Sequence, residues 1–230
     1  MNDIGQPERA TQKRVIALFR EKLGYTYLGD WTERSDNRNV DQHHLHAFLH
    51  RRGVPADMAE RAIYILDKSA SDTSKSLYDR NRAVYDLLRY GVKVKPDAGQ
   101  NTGTVWLIDW KNPENNHFAI AEEVTVTATD PHAFNKRPDI VLYVNGIALA
   151  VLELKRSTVS VAEGIRQNLD NQKKIFIEHF FSTIQLVMAG NDTEGMRYGS
   201  IETKEKYYLT WKETSDIDNP LDRALLQMCS

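Results

Sequence analysis

Cysteine is almost absent from this chain: its 230 residues contain one, Cys229. A disulfide framework needs pairs and a cysteine-based zinc site needs several thiolates, so both are excluded. No apolar run approaches the roughly 18 residues of a membrane-spanning helix. Residues 1–7 lack the basic region and apolar stretch of a secretory signal. A surplus of one charge is also missing. The formal net charge is −2, so the chain as a whole has no basic footprint, and any nucleic-acid surface must be a local patch. There is no repeat at solenoid period, no low-complexity tract and no Gly-x4-Gly-Lys-Ser/Thr phosphate loop. The expectation is a soluble, cytoplasmic protein with no membrane partner. What is present is ordinary globular composition, 41% hydrophobic and 27% charged, which excludes a disordered or collagen-like chain. A chain of this length can bury roughly 70% of its unfolded surface without staples.

The first segment, 7–23, reads as a helix with Val15, Ile16, Leu18, Phe19 and Leu23 along one face, Pro7 in its first turn and Gly24 beyond its end. From 41 to 90 the chain reads as a block of three helices. Asp41 caps the first, Gly53 stops it, Pro55 opens the second and Gly91 ends the third. Pro96, Gly99 and Gly103 then punctuate a loop. Beyond it lie β-rich runs at 104–110, 118–127, 140–144 and 147–155, a helix at 161–180, strands at 183–189 and 207–211, and a helix at 221–228. That last helix has no later sequence to pack on, which suggests a fragment of a longer chain. The order predicts a single α/β domain, a central mixed sheet flanked by helices, with a helical insertion at 41–90.

The informative stretch is Arg137–Pro138–Asp139, two apolar runs joined by Asn145–Gly146, then Glu153–Leu154–Lys155. Asn–Gly between β-prone runs signals a hairpin, and runs apolar at nearly every position suit central strands covered on both faces. Two carboxylates and a lysine in such a hairpin carry a desolvation cost that needs a reason. Register decides whether they meet. A plain two-residue loop sets Asp139 against Leu152 and turns it away from Glu153. A three-residue loop with Gly146 in a bulge sets Asp139 against Val151 and puts Asp139, Glu153 and Lys155 on one face. A shared site therefore requires the bulged turn, or an equivalent bulge nearer Asp139. Two carboxylate ligands suit Mg2+, which would stabilise charge on a phosphate and lower the pKa of bound water. Lys155 would orient that water or balance the developing charge.

Asp139, thirteen intervening residues and Glu153–Leu154–Lys155 resemble the PD-(D/E)xK nuclease motif. The surrounding run Arg137–Lys155, and the later run with Gly190–Asn191–Asp192–Thr193 and Arg197–Tyr198–Gly199, resemble the nuclease domain of type I restriction enzyme R subunits. The resemblance is good over 105–215 and looser over the first helix. The block at 41–90 is not anchored by it. It implies a PD-(D/E)xK restriction-endonuclease-like core that hydrolyses double-stranded DNA with Mg2+ (Mn2+ as surrogate). It also implies modification and specificity subunits as partners, and an ATP-driven translocase in the full-length subunit; ATP would bind there only. By the same resemblance Asp139 and Glu153 are metal ligands, the Leu154 carbonyl an additional one, and Lys155 the catalytic lysine. The family's Gln-x-x-x-Tyr element matches as Gln167, with Asn171 at the tyrosine position. Glu8 is the candidate first-helix carboxylate, with Gln12 one turn later. Arg156, beside Lys155, is a candidate DNA contact.

The alternatives are a structural ion pair at a strand end, or a non-catalytic DNA-binding or subunit-docking module on the same fold. His43, His44, His46 and His50 read as a solvated helix face. The four tryptophans, Trp31, Trp106, Trp110 and Trp211, read as core or interdomain packing. Glu122 and Glu123, which precede a β-run, have two readings, a place near the site or edge-strand charges that discourage pairing; the second is preferred. Asn191–Thr193 reads as a turn.

Overall fold

The computed structural model describes residues 8–95 and 101–230. Pro7 of the first helix and Pro96 and Gly99 of the predicted loop lie outside them. In chain order the elements are α1 (Glu8–Glu21), β1 (Thr26–Asp30), α2 (Gln42–Arg51), α3 (Ala56–Ser71), α4 (Leu77–Tyr90), β2 (Val92–Val94) and β3 (Gly103–Val105). They continue with β4 (Phe118–Glu122), β5 (Ile140–Val144), β6 (Ile147–Leu154), α5 (Val161–Asn171), β7 (Leu186–Asn191), β8 (Gly195–Gly199), β9 (Leu209–Thr210) and α6 (Pro220–Met228). Seven strands form one mixed sheet in the order β1-β4-β5-β6-β7-β8-β9, parallel at β1–β4 and β6–β7 and antiparallel elsewhere. β2 and β3 pair apart from it.

One face of the sheet packs Ala121, Val141, Val151 and Val187 against Ile165 and Phe180–Phe181. The other packs Ile120, Ile140, Leu152 and Met188 against Val15 and Phe19 of α1 and Leu221 and Leu225 of α6. Both faces are covered, which is why β5 and β6 are apolar at almost every position. The C-terminal helix has a seat after all, since it folds back: Leu221 and Leu225 are fully buried.

The helical block has its own core, in which Leu45, Phe48, Ile63, Leu66 and Val84 pack with Val92 and Leu107 and meet the sheet at Ile147. The β5–β6 hairpin tip joins the two. Asn145 is fully buried at φ 53°, donating to the Leu107 carbonyl at 2.9 Å and accepting from the His117 N–H at 2.7 Å. Gly146 follows at φ 85° and its carbonyl accepts from the Asp41 N–H at 2.7 Å. Asp41 caps α2 as expected, accepting from the His44 N–H at 3.2 Å.

The hairpin is neither of the two simple forms. Its turn has two residues, with Val144 opposite Ile147. The register then shifts, because Tyr143 pairs with Ala148 and Leu142 with Ala150, leaving Leu149 as an extra residue. The bulge frees backbone groups for other partners: Ala148 donates to the Asn39 carbonyl, and the Leu149 carbonyl accepts from Gln185, both at 2.8 Å. Ile140 then faces Leu152, so Asp139 stands opposite Glu153.

Other expectations are corrected. The run at 104–110 is strand only to Val105; Asp109 then accepts from the backbone of Lys111 and Asn112 and from Asn115, and closes a turn. α5 stops at Asn171, and tight turns carry the chain to Ser182. β1 and β8 are additional strands; each is short and contains glycine, which weakened its pattern. β4 lies between β1 and β5, so Glu122 and Glu123 are not edge charges. Trp106 and Trp110 are each 49% exposed rather than packed, whereas Trp31 is buried. Three of the four α2 histidines are exposed as expected, while His44 stacks on His117 with centroids 5.5 Å apart.

A Cβ at Gly146 would lie 2.5 Å from the Asp41 carbonyl oxygen and 2.9 Å from the Leu45 nitrogen. Both are backbone, and the φ is one that L-residues resist. Gly146→Ala is therefore expected to lower stability by about 2 kcal/mol or more, read by urea unfolding. A neutral result would mean that the block is not locked to the hairpin tip.

Candidate active site

The site lies where β5 begins and β6 ends. Asp139 immediately precedes β5; its Oδ2 accepts from the Leu154 N–H at 2.7 Å. Glu153 is fully buried, and its Oε2 accepts from Gln167 Nε2 at 2.7 Å. Gly164 makes this possible: a Cβ there would meet the Ala189 Cβ at 3.1 Å and the Glu153 Cβ at 3.4 Å. α5 thus presses onto β6, and Gln167, one turn on, reaches the carboxylate. Asn171, a turn further, is buried with both amide atoms unpartnered. Lys155 follows β6 with its side chain 12% exposed, and Glu8 Oε1 at the start of α1 stands 3.6 Å from its Nζ.

The structure thus brings together Asp139, Glu153, Lys155, Gln167 and Glu8. Glu8, Glu123, Arg137, Asp139, Gln167 and Asn171 line one cleft of about 490 Å³. Arg156 is exposed and is not in its lining. Leu154 contributes its backbone, with the N–H already engaged by Asp139.

A second layer, in which the sequence reading preferred edge charges, surrounds these groups. Gln12 Nε2 donates to Glu122 Oε2 and to Glu123 Oε1, both at 3.0 Å, and Arg137 Nε lies 2.6 Å from Glu123 Oε2. β1, by making β4 an inner strand, is the signal that would have placed the two glutamates beside the site. Arg14 ties α1 to Asp192 and Asp222, so the turn after β7 serves to anchor the first helix.

Burial dominates the electrostatics. Water exclusion pushes the Asp139 carboxyl up to about 6, against the lowering pull of the Leu154 N–H and Lys155. Glu153 is raised well above the ordinary glutamate range, by burial first and then by Asp139. Two carboxyl groups in one dry place share a proton. Glu153, the more buried, is pushed furthest toward its protonated form.

A divalent cation fits this donor set. Glu153 Oε1 is buried and accepts from no donor, and Asp139 stands opposite. Among the described residues no group of three His, Cys, Asp or Glu side chains is arranged to hold a metal. Such an ion would rest on two carboxylates, completed by water and backbone oxygen, the coordination that suits Mg2+.

These features define a class: an α/β domain on a mixed sheet, with a buried carboxylate pair and a lysine at the strand ends. A family model, the type I restriction enzyme R protein N terminus, matches residues 5–206. The chain belongs to that family. It is 24% identical over 210 residues, 86% of its length, to a Methanocaldococcus jannaschii protein provisionally named type I restriction enzyme MjaIXP endonuclease subunit, and covers 20% of that protein. It is 28% identical over 167 residues, 70% of its length, to the type I restriction enzyme HindI endonuclease subunit of Haemophilus influenzae, covering 15% of it. The chain therefore spans a fifth or less of the length of these relatives. Among the described residues, no helix is long and apolar enough to cross a membrane.

The shared proton makes a stability prediction. Both carboxyl groups titrate above their unfolded values, so the metal-free folded chain holds more protons than the unfolded one, and stability is lost as pH rises through about 6. Glu153→Gln mimics the protonated acid: it can accept from Gln167 and donate to Asp139. Its melting temperature in a chelator should match the parent at pH 5 and exceed it by about 2–4 °C at pH 8. A variant less stable at pH 8 would show that the pair carries no strained charge.

Proposed function

We propose that this domain is a Mg2+-dependent DNA endonuclease module of the PD-(D/E)xK type, and that it cleaves double-stranded DNA as part of a type I restriction R subunit. The observation that carries this reading is convergence. A bulge brings Asp139 and Glu153 face to face, with Lys155 beside them, in a place where unsatisfied charge is unfavourable.

Asp139, Glu153 and the Leu154 carbonyl are the groups that would hold the cation. When bound, it supplies charge stabilisation at the scissile phosphate and an acidified water. The protein's own groups prepare the rest. The Leu154 N–H and Gln167 fix the two carboxylates in orientation. Lys155 presents an ammonium to the phosphate oxygens or to the attacking water, and Glu8 steadies it. Burial keeps competing water away from these groups.

The names of the relatives, both endonuclease subunits, support this reading. Modification and specificity subunits are the proposed partners, in the cytoplasm, and ATP belongs to the translocase of the full-length subunit.

Asp139→Ala or Lys155→Ala should reduce DNA cleavage by the assembled complex at least about 10²-fold while folding survives. Normal cleavage by either variant would overturn the assignment. In this chain alone, calorimetric titration should show saturable Mn2+ binding that Asp139→Ala abolishes. That binding should release about one proton and weaken as pH falls through about 6, because the ligands must be deprotonated. Mn2+ binding that survives in the variant, or no binding to the parent, would count against a metal at this site.

A further inference from the structure

The cleft before Asp139 carries more acid than a polyanion tolerates: Glu8, Glu123 and Asp139 all line it. A DNA strand entering there needs a cation whose present commitment can be exchanged. Lys155 is held by Glu8 and lies low, 12% exposed. Lys136 rests on the Phe176 ring, 3.8 Å from its centroid. Arg137 differs from both. Its side chain is 51% exposed and its Nε lies 2.6 Å from Glu123 Oε2; its charge also acts on Asp30, and among the described residues its terminal nitrogens make no hydrogen bond.

The backbone at Glu123 is arranged for that contact. Glu123 is a non-glycine residue at φ 52°, a left-handed conformation that L-residues resist. Its N–H nevertheless keeps the sheet going by donating to the Asp139 carbonyl at 2.9 Å, and the next residue, Val124, donates to Pro138 at 3.1 Å. The left-handed residue thus turns the chain without breaking the ladder. The Glu123 carboxylate is held between Gln12 and Arg137. Arg137 and Asp139 are two residues apart on the run leading into β5 and line the same cleft, their Cα atoms no more than about 7 Å apart. That is the scale of one nucleotide of backbone.

We propose that Arg137 is a clamp for the DNA phosphate next to the scissile one, and that Glu123 is a placeholder carboxylate which this phosphate displaces. The proposal rests on reading the cleft as a phosphodiester site. A guanidinium takes phosphate through two parallel N–H groups, and the terminal nitrogens of Arg137 are the ones left uncommitted. Glu123 keeps the guanidinium at the cleft while no DNA is present. Neutralising Glu123 should therefore help binding, the reverse of what a structural ion pair predicts.

The test is fluorescence anisotropy of this chain with a labelled DNA duplex at low salt, with Ca2+ present to suppress cleavage. Arg137→Gln should weaken binding roughly tenfold and reduce the slope of log affinity against log salt by about one. Glu123→Gln should tighten binding several-fold, and in the double variant with Arg137→Gln that gain should vanish. Melting temperatures of all variants check the fold, and Arg137→Lys should fold like the parent while recovering only part of the affinity. The proposal is overturned if the parent chain does not bind the duplex, if Arg137→Gln binds like the parent, or if the Glu123→Gln gain persists without Arg137. Mn2+ titration separates this from the nuclease reading. Metal binding should be unchanged in Arg137→Gln, so a failed clamp with intact metal binding leaves that reading standing. A working clamp without metal binding would leave a DNA-binding cleft and remove the nuclease assignment.

Discussion

Two carboxyl groups face each other across neighbouring strands in a place from which water is excluded, and the rest of the domain is arranged around that conflict. Asp139 and Glu153 would separate or be replaced if stability alone had shaped the fold. Instead the surroundings hold them. The Leu154 N–H takes one oxygen of Asp139, Gln167 takes one oxygen of Glu153, and Lys155 balances part of the charge. A shared proton settles the remainder in the metal-free chain. Under the proposed function a cation takes the place of that proton, which links the physical strain of the site to its proposed chemistry.

The opposition of the pair depends on a single extra residue far from it. Without Leu149 as a bulge, the two-residue turn at Asn145–Gly146 would leave Asp139 and Glu153 on opposite faces of the sheet. The bulge is kept by partners outside the hairpin, through Asn39 and Gln185, and the turn is gripped by α2 and by Leu107. The helical block therefore has a mechanical role: its core ends on the hairpin tip and locks the register that aligns the two carboxyls. Its sequence bears no chemistry of the site, and it remains coupled to the site through β5 and β6.

The first helix closes the arrangement from the other side. Arg14 pins α1 to the turn after β7 and to α6, Gln12 reaches the two glutamates at the end of β4, and Glu8 reaches Lys155. Three residues within two turns of one helix thus attach to three separate parts of the domain. The family match over residues 5–206 takes in all of α1, so these ties lie within the matched region.

Much was legible in the sequence. The alternation of helical and β-prone runs, the Asn–Gly hairpin and the apolar central strands follow from local propensity and spacing; Asp139, Glu153 and Lys155 stood out as charges in an apolar hairpin, their reading as a set leaned on the family resemblance, and the need for a bulge followed from counting residues. Three things were decided only by tertiary structure. The position of the bulge depends on partners distant in sequence, Asn39 and Gln185, that stabilise one register over another. The role of Glu122 and Glu123 reversed because β1, a short strand containing glycine, pairs outside β4 and turns an apparent edge into the interior. The convergence of Gln12 and Arg137 on Glu123 was hidden because each is an ordinary polar residue within its own segment. Local sequence determines which way a chain folds over a few turns. Which polar groups are brought together and deprived of water is set by long-range packing, and that deprivation creates the chemistry.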